Sequence, residues 1–151
     1  MILFHGGVRG FWPPQILRPD MAHHRFVDGC PDCELHKHGL SRPGGDPATP
    51  HGWIYATSDR DYARWYASRA VKGWLYEVEL RGEHELSTED PPQFQTWRAR
   101  DLIVRHVLEK NVVLTMDERQ RLFIRWGGTA EEFEQMINEL RSSHLLKSRR
   151  A

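Results

Sequence analysis

His5 and Tyr55 are the residues of this chain whose types and surroundings point most clearly to chemistry. His5 stands in Leu-Phe-His-Gly-Gly and Tyr55 in Trp-Ile-Tyr-Ala-Thr, and both segments are apolar enough to be short strands. A histidine at a strand end can hydrogen-bond a ligand hydroxyl, and glycines after it let the backbone come close to a flat group. A tyrosine ring can stack on a cationic ring. The pattern therefore predicts a binding site built from two strands.

The elements around these residues are predicted from periodicity and turn signals. Strands are expected over residues 1–5, 53–57 and 74–80, and a short turn over 15–17. Ser58 or Asp59 is expected to cap a helix that runs to about Val71. Residues 99–114 mix strand-like apolar runs with charges, and Thr129 with Glu132 fits a capping box before a last helix.

This order of residues resembles the ADP-ribosyltransferases of the His-Tyr-acid type, and within them the rifampin ADP-ribosyltransferases. The family shows a Tyr-x-Thr strand and then a helix with Asp-x-Ala-x-Trp-x-Ala. Its opening His-Gly-Thr resembles His5-Gly6-Gly7, and its Asp-Asp-Pro resembles Glu89-Asp90-Pro91. The similarity spans roughly residues 2–113, and its best part is the ungapped match at Tyr55, Thr57, Asp61, Ala63, Trp65 and Ala67.

The resemblance implies an α+β fold with small antiparallel sheets, flanking helices and a C-terminal helix. It implies an enzyme, a pentosyltransferase that cleaves the nicotinamide–ribose bond of NAD and transfers ADP-ribose to a small molecule such as rifampin, which would confer antibiotic resistance. NAD would be a substrate, and no metal would be required. The residues implied to bind it are His5, Gly6, Gly7, Tyr55 and Thr57. Tyr66, eleven residues after Tyr55, corresponds to a second aromatic wall in the related His-Tyr-Glu polymerases.

The catalytic acid is the least defined part of the resemblance. The segment from Gly82 to Asp90 is longer than the family's spacing, so Glu85, Glu89 and Asp90 compete for this role. Asp90 comes first because it precedes Pro91, although an aspartate before proline is also a common turn residue.

Each of these residues also has a purely structural interpretation. His5 could be a hydrogen-bonded core histidine and Tyr55 a half-buried strand aromatic. Trp65 and Tyr66 could pack in the core, as helix aromatics often do. Arg98 and Arg100 could form a solvated strand face or bind the NAD pyrophosphate.

The acceptor of ADP-ribose is open at this stage. A toxin-like transfer to protein or nucleic acid, including an RNA 2′-phosphate, is one alternative, and a non-catalytic module that binds NAD or a partner is another. The formal net charge is zero, with 21 basic and 21 acidic residues, which argues against a nucleic-acid target. The apolar face of the last helix is expected to pack on the body, or else to dock a protein partner such as an antitoxin. It consists of Phe133, Met136, Ile137 and Leu140.

Length and composition predict one domain over residues 1–116 with a long loop at 19–51, and a helical C-terminal extension over 117–151 packed on it. The loop is expected to be mobile and to select the acceptor. It contains a weak candidate metal site, and the alternatives are loop cysteines or a redox pair. Its candidate ligands are Cys30, Cys33, His36 and His38. No long apolar run or signal peptide is visible, so a cytoplasmic protein without membrane contact is expected.

Overall fold

The computed structural model describes residues 1–21, 52–70 and 72–142. It is an α+β structure in which one antiparallel sheet of five strands accompanies three α-helices within these residues. The chain divides into two compact units, Met1–Val113 and Leu114–Ala151. Most of the loop predicted at 19–51 lies outside the described residues, and so do its cysteine and histidine candidates. The mobility expected of this loop therefore stays a prediction.

The first unit contains the whole sheet. Its strands are β1 (Leu3–Gly7), β2 (Ile16–Leu17), β3 (Ile54–Thr57), β4 (Trp74–Leu86) and β5 (Thr96–Glu109). They lie in the order β2-β5-β3-β1-β4, and β4 also pairs with β5, so that β1, β3, β5 and β4 form a closed ring of antiparallel pairings. One core cluster lines this sheet. Its members buried most completely include Leu17, Ile54, Tyr76, Ala99, Leu102 and Val104.

The sheet confirms the three predicted strands and extends two of them, because β1 continues to Gly7 and β4 to Leu86. The turn predicted over 15–17 is wrong in part. Ile16 pairs with Ile103 and Leu17 pairs with Leu102, so these residues form a short strand beside β5. Burial explains the difference, since the Leu17 side chain is completely inaccessible to solvent.

The long β4–β5 ribbon carries a series of ion pairs across its strands. Five pairs couple an acidic residue on one strand with a basic residue or histidine on the other, and their side chains are partly or largely exposed. Exposed pairs contribute about 1 kcal/mol or less each. They therefore specify strand register more than they stabilise the fold. The pairs are Glu77–His106, Glu79–Arg105, Arg81–Asp101, Glu83–Arg100 and Glu85–Arg98.

Helix α1 (Arg60–Arg69) packs on β1 through small residues. Asp59 is its N-cap, as predicted, and accepts a hydrogen bond from the Tyr62 amide at 3.0 Å. A Cβ at Gly6 would lie 1.7 Å from the Ala63 carbonyl oxygen, and one at Gly73 would lie 1.9 Å from the Ala67 carbonyl oxygen. Both positions therefore require glycine, because any side chain would separate the helix from the sheet.

The second unit contains two capped helices, α2 (Met116–Arg125) and α3 (Ala130–Ser142). The predicted capping box at α3 is confirmed, since Thr129 and Glu132 exchange both hydrogen bonds. Phe133 is buried and its ring lies 5.7 Å from that of Phe123, whereas Met136 is 37% exposed. Among the described residues, no helix has the length and apolar character needed to cross a membrane.

The Gly6 contact gives a stability prediction. We expect Gly6→Ala to lower the free energy of unfolding by about 3 kcal/mol, because the methyl group must displace helix backbone rather than a side-chain end. Gly52→Ala is the control, since its Cβ would meet only the end of the Arg100 side chain, at 3.1 Å. Urea denaturation of both variants measures the effect, and equal stability would contradict the proposed basis of the α1–β1 contact.

Candidate functional site

His5 and Tyr55, the residues singled out in the sequence, lie on the neighbouring strands β1 and β3. The two strands share one register pair, Phe4 with Thr57, although β1 continues to Gly7 and β3 begins at Ile54. Next to that pair, a side chain makes the hydrogen bond between the strands: His5 Nδ1 lies 2.7 Å from the Tyr55 carbonyl oxygen. His5 and the Tyr55 backbone are therefore brought together next to that register pair.

His5 is fixed in one tautomer by this bond. A carbonyl oxygen only accepts, so Nδ1 carries the proton and donates it, and Nε2 is the acceptor nitrogen of the neutral ring. The ring is 7% exposed and stacks at 6.2 Å on Tyr76, its neighbour in β4. His5 is thus a buried, hydrogen-bonded histidine. This bonding through Nδ1 is compatible with a binding role for Nε2.

Tyr55 lies on the face of the sheet that carries α1. It is two residues from Thr57, which pairs with Phe4, and Phe4 packs beside Ala63. Strand alternation places the His5 side chain on the other face. His5 and Tyr55 are consequently linked through the backbone carbonyl, and a ligand that contacts both side chains must reach across the strand end.

Helix α1 places two more tyrosines near Tyr55. Tyr62 and Tyr66 are four residues apart, so they lie on the same side of the helix, and their hydroxyl oxygens are 3.2 Å apart. The Tyr62 hydroxyl donates a hydrogen bond to Asp90 Oδ1 at 2.6 Å. The charge of Asp90 acts on Tyr55 as well as on Tyr66. Three tyrosine hydroxyls and one carboxylate therefore form a cluster, which we call the tyrosine–acid cluster: Tyr55, Tyr62, Tyr66 and Asp90.

The three acids that competed in the sequence have different surroundings. Glu85 forms an ion pair with Arg98. Asp90 is half-buried and bonded to Tyr62. Glu89 is exposed, and its charge adds to the burial that raises the pKa of Tyr55. Of the three, Asp90 is the one that is both partly shielded from solvent and held by a neutral donor.

Arg98 connects the cluster to the ribbon. It is the register partner of Tyr55 on one side and of Glu85 on the other. Its guanidinium hydrogen-bonds the Tyr55 hydroxyl and pairs with Glu85. Arg98 and Arg100 also lie over the Trp53 ring, at 4.9 and 3.7 Å from its centroid. Both arginines are thus engaged with aromatic and acidic side chains, and pyrophosphate binding by them stays a prediction.

The glycines and Thr57 serve local structure. Gly6 faces the helix, which is a different reason for glycine from the close ligand approach inferred from the sequence. Gly7 is buried beside Gly73 and pairs with Trp74. The Thr57 hydroxyl accepts from the Asp59 amide and donates to the Gln95 carbonyl, both at 3.2 Å. Ligand contact by these residues stays a prediction.

Aromatic packing surrounds the cluster. Trp65, for which core packing is the structural interpretation, is only partly buried. Ala63 and Ala67 face the sheet, whereas Trp65 stacks on Tyr62 at 6.0 Å beneath the guanidinium of Arg69. Tyr62 is the site residue that the sequence analysis missed. Its spacing of four from Tyr66 was the signal that could have identified it.

No set of three or more metal-ligating side chains occurs in the parts of the chain that the structure describes. No protein-family model matches this chain, and a search of curated proteins also returned no match.

All four tyrosines of the sequence have a pKa raised above the ordinary value of 10.0, with burial as the main cause. For Tyr76 the pKa rises to about 12, although the Phe11 amide opposes the shift. The hydroxyls of the cluster are therefore neutral hydrogen-bond donors at physiological pH.

These shifts predict an alkaline dependence of stability. The folded protein holds its phenolic protons to a higher pH than the unfolded chain, so this stabilisation is complete below pH 10.0 and is lost as the pH rises through the folded pKa values. Ultraviolet titration of phenolate, with and without urea, should show ionisation near the ordinary value only in the unfolded chain. A full tyrosine equivalent titrating at that value in the folded protein would contradict the burial of these hydroxyls.

Proposed function

We propose that the first unit is an NAD-dependent mono-ADP-ribosyltransferase. The observation that carries the proposal is the meeting of Tyr55, Tyr66 and Asp90 near the bond between His5 and the Tyr55 carbonyl. This arrangement offers an aromatic face and a carboxylate on the α1 side of the sheet, and a histidine acceptor that NAD would reach across the strand end. It supports the resemblance at the positions that the sequence had singled out.

NAD poses an electrostatic problem that these residues can address. Its nicotinamide ring is cationic, and positive charge moves onto the ribose as the ring departs. Half-buried Tyr55 offers a face for the ring, since aromatic faces attract cations, whereas the Tyr66 ring already has the Arg69 guanidinium 5.2 Å from its centroid. Asp90 offers the negative charge that stabilises an oxocarbenium-like ribose, as carboxylates do in glycoside hydrolysis.

His5 has the tautomer that the proposed role needs. Because Nδ1 donates to the Tyr55 carbonyl, Nε2 can accept a hydrogen bond from a ribose hydroxyl. Gly6 adds main-chain groups on the edge of β1 beyond its last register pair with β3. These groups suit the flat carboxamide of nicotinamide, which both donates and accepts.

The reaction is balanced without a metal or a redox partner. The bond between the nicotinamide nitrogen and ribose C1′ breaks, and its electron pair leaves with the now neutral nicotinamide. A nucleophilic oxygen or nitrogen of the acceptor forms the new bond to C1′ and releases one proton. The proposal assigns to Asp90 a part in that proton transfer.

The acceptor we favour is a small molecule such as rifampin, as the resemblance implies. Transfer to a protein or nucleic acid is the alternative within the same chemistry. Incubation with labelled NAD and either rifampin or cell extract separates the two, because label on the drug supports the first and label on a macromolecule supports the second.

Nicotinamide release tests the proposal directly. We expect His5→Ala and Tyr55→Ala to lower kcat/KM for NAD by about a hundredfold or more, while Tyr55→Phe keeps the stacking face and loses less. His84→Ala, at an exposed histidine of the same unit, is the control and should match the wild type. If the wild type neither releases nicotinamide nor gains thermal stability with saturating NAD, the proposal is wrong.

The identity of the acid is tested by amide substitution. We expect Asp90→Asn to lower kcat by about a hundredfold, because the variant loses the charge while keeping the side-chain shape. Glu85→Gln, which breaks the ion pair with Arg98, should lower kcat by less than about threefold. A larger loss with Glu85→Gln or Glu89→Gln than with Asp90→Asn would transfer the role to that residue.

A further inference from the structure

The Tyr62 side chain makes a direct hydrogen bond with Asp90, the proposed catalytic acid. Its hydroxyl donates to Asp90 Oδ1 at 2.6 Å and lies 3.2 Å from the Tyr66 hydroxyl. Asp90 belongs to the segment between β4 and β5, which has no helix or strand of its own. A hydrogen bond from α1 therefore helps to hold the carboxylate in place.

Tyr62 is held more firmly than the acid it contacts. Its side chain is 7% exposed. Its ring stacks on Trp65 at 6.0 Å and packs against Tyr66 at 5.0 Å and Phe94 at 4.9 Å. The Tyr62 amide also donates a hydrogen bond to Asp59, the N-cap of the helix. The donor is thus fixed at both its backbone and its ring.

The Tyr62 hydroxyl is a neutral donor in this bond. Burial, followed by the neighbouring Tyr66, raises the pKa of Tyr62 far above its ordinary value, so the phenol keeps its proton. A neutral donor holds a carboxylate oxygen without forming an ion pair with it. An arginine in the same place would have formed an ion pair, as Arg98 does with Glu85.

We infer that Tyr62 is a positioning residue for Asp90: by donating to Oδ1 it orients Oδ2, the oxygen it does not engage, toward the reacting ribose and the incoming acceptor. This inference rests on the proposed function. It assigns to Tyr62 a role in turnover in addition to its packing among aromatic side chains.

The test is Tyr62→Phe in the full chain, assayed by nicotinamide release. The variant keeps the ring and its packing and removes only the donor. We expect kcat to fall roughly tenfold or more, as loss of a hydrogen bond to a charged group predicts, while KM for NAD changes by less than about threefold. If the wild type releases nicotinamide and Tyr62→Phe has the same kcat, the inference is overturned and the proposed function stands. A wild type that releases no nicotinamide would overturn both.

Tyr76→Phe is the matched control for a structural effect. Tyr76 is also buried, and its hydroxyl also makes a 2.6 Å bond, to the Val8 carbonyl. It should lower the melting temperature without a tenfold loss of kcat. If the two variants lower kcat equally, Tyr62 acts through stability alone and the inference is wrong.

Coupling to Asp90 gives the decisive readout. If Tyr62 acts through the acid, Tyr62→Phe should lower kcat no further in an Asp90→Asn background. An equal loss in both backgrounds would overturn the inference. Should Tyr62→Phe fail to fold, Asp90→Glu replaces it, because this change keeps the charge but moves the carboxylate away from the donor. Wild-type kcat in Asp90→Glu would then contradict a requirement for positioning.

Discussion

The close contact between α1 and β1 is the constraint on which the rest of the first unit depends. At Gly6 and Gly73 the helix backbone occupies the space where a Cβ would otherwise lie, 1.7 and 1.9 Å from the nearest carbonyl oxygens. A helix held this close to a strand cannot shift by one residue without a clash. The contact therefore fixes the height and rotation at which Tyr62 and Tyr66 stand above the sheet.

A second set of bonds fixes the acid against that helix. The ends of the segment between β4 and β5 are tied down by main-chain bonds from Ser87 to Thr96 and from Ser58 to Gln95, and Gln95 returns a bond to the Ser58 hydroxyl. Asp90 lies within a short, tethered connection. The helix and the connection meet at the Tyr62–Asp90 bond, so the candidate site combines a rigid donor with a locally restrained acceptor.

The sequence allowed much of this arrangement to be predicted, for physical reasons that differ between elements. The Asp59 cap and the Thr129 box were visible because capping depends on residue types at fixed spacing. β2 was missed because two residues carry no periodicity, and only pairing with β5 identifies them. The pairing of His5 with Tyr55 could be anticipated from motif order, but not their placement on opposite faces, because that depends on strand register. Asp90 could not be separated from Glu85 and Glu89, since the distinction arises from contacts with Tyr62 and Arg98.

The outer half of β4 has a consequence for how copies of this protein meet. β1 pairs with β4 only up to Val78, so in the described structure residues 79–86 have β5 on one side and no strand on the other. Such an edge is a template for pairing between molecules. Every second residue of this edge is charged: Glu79, Arg81, Glu83 and Glu85. Gly82, with φ of 73°, bends the strand at a register shift. Charge and irregular backbone together disfavour extension of the sheet along this edge into a neighbouring molecule.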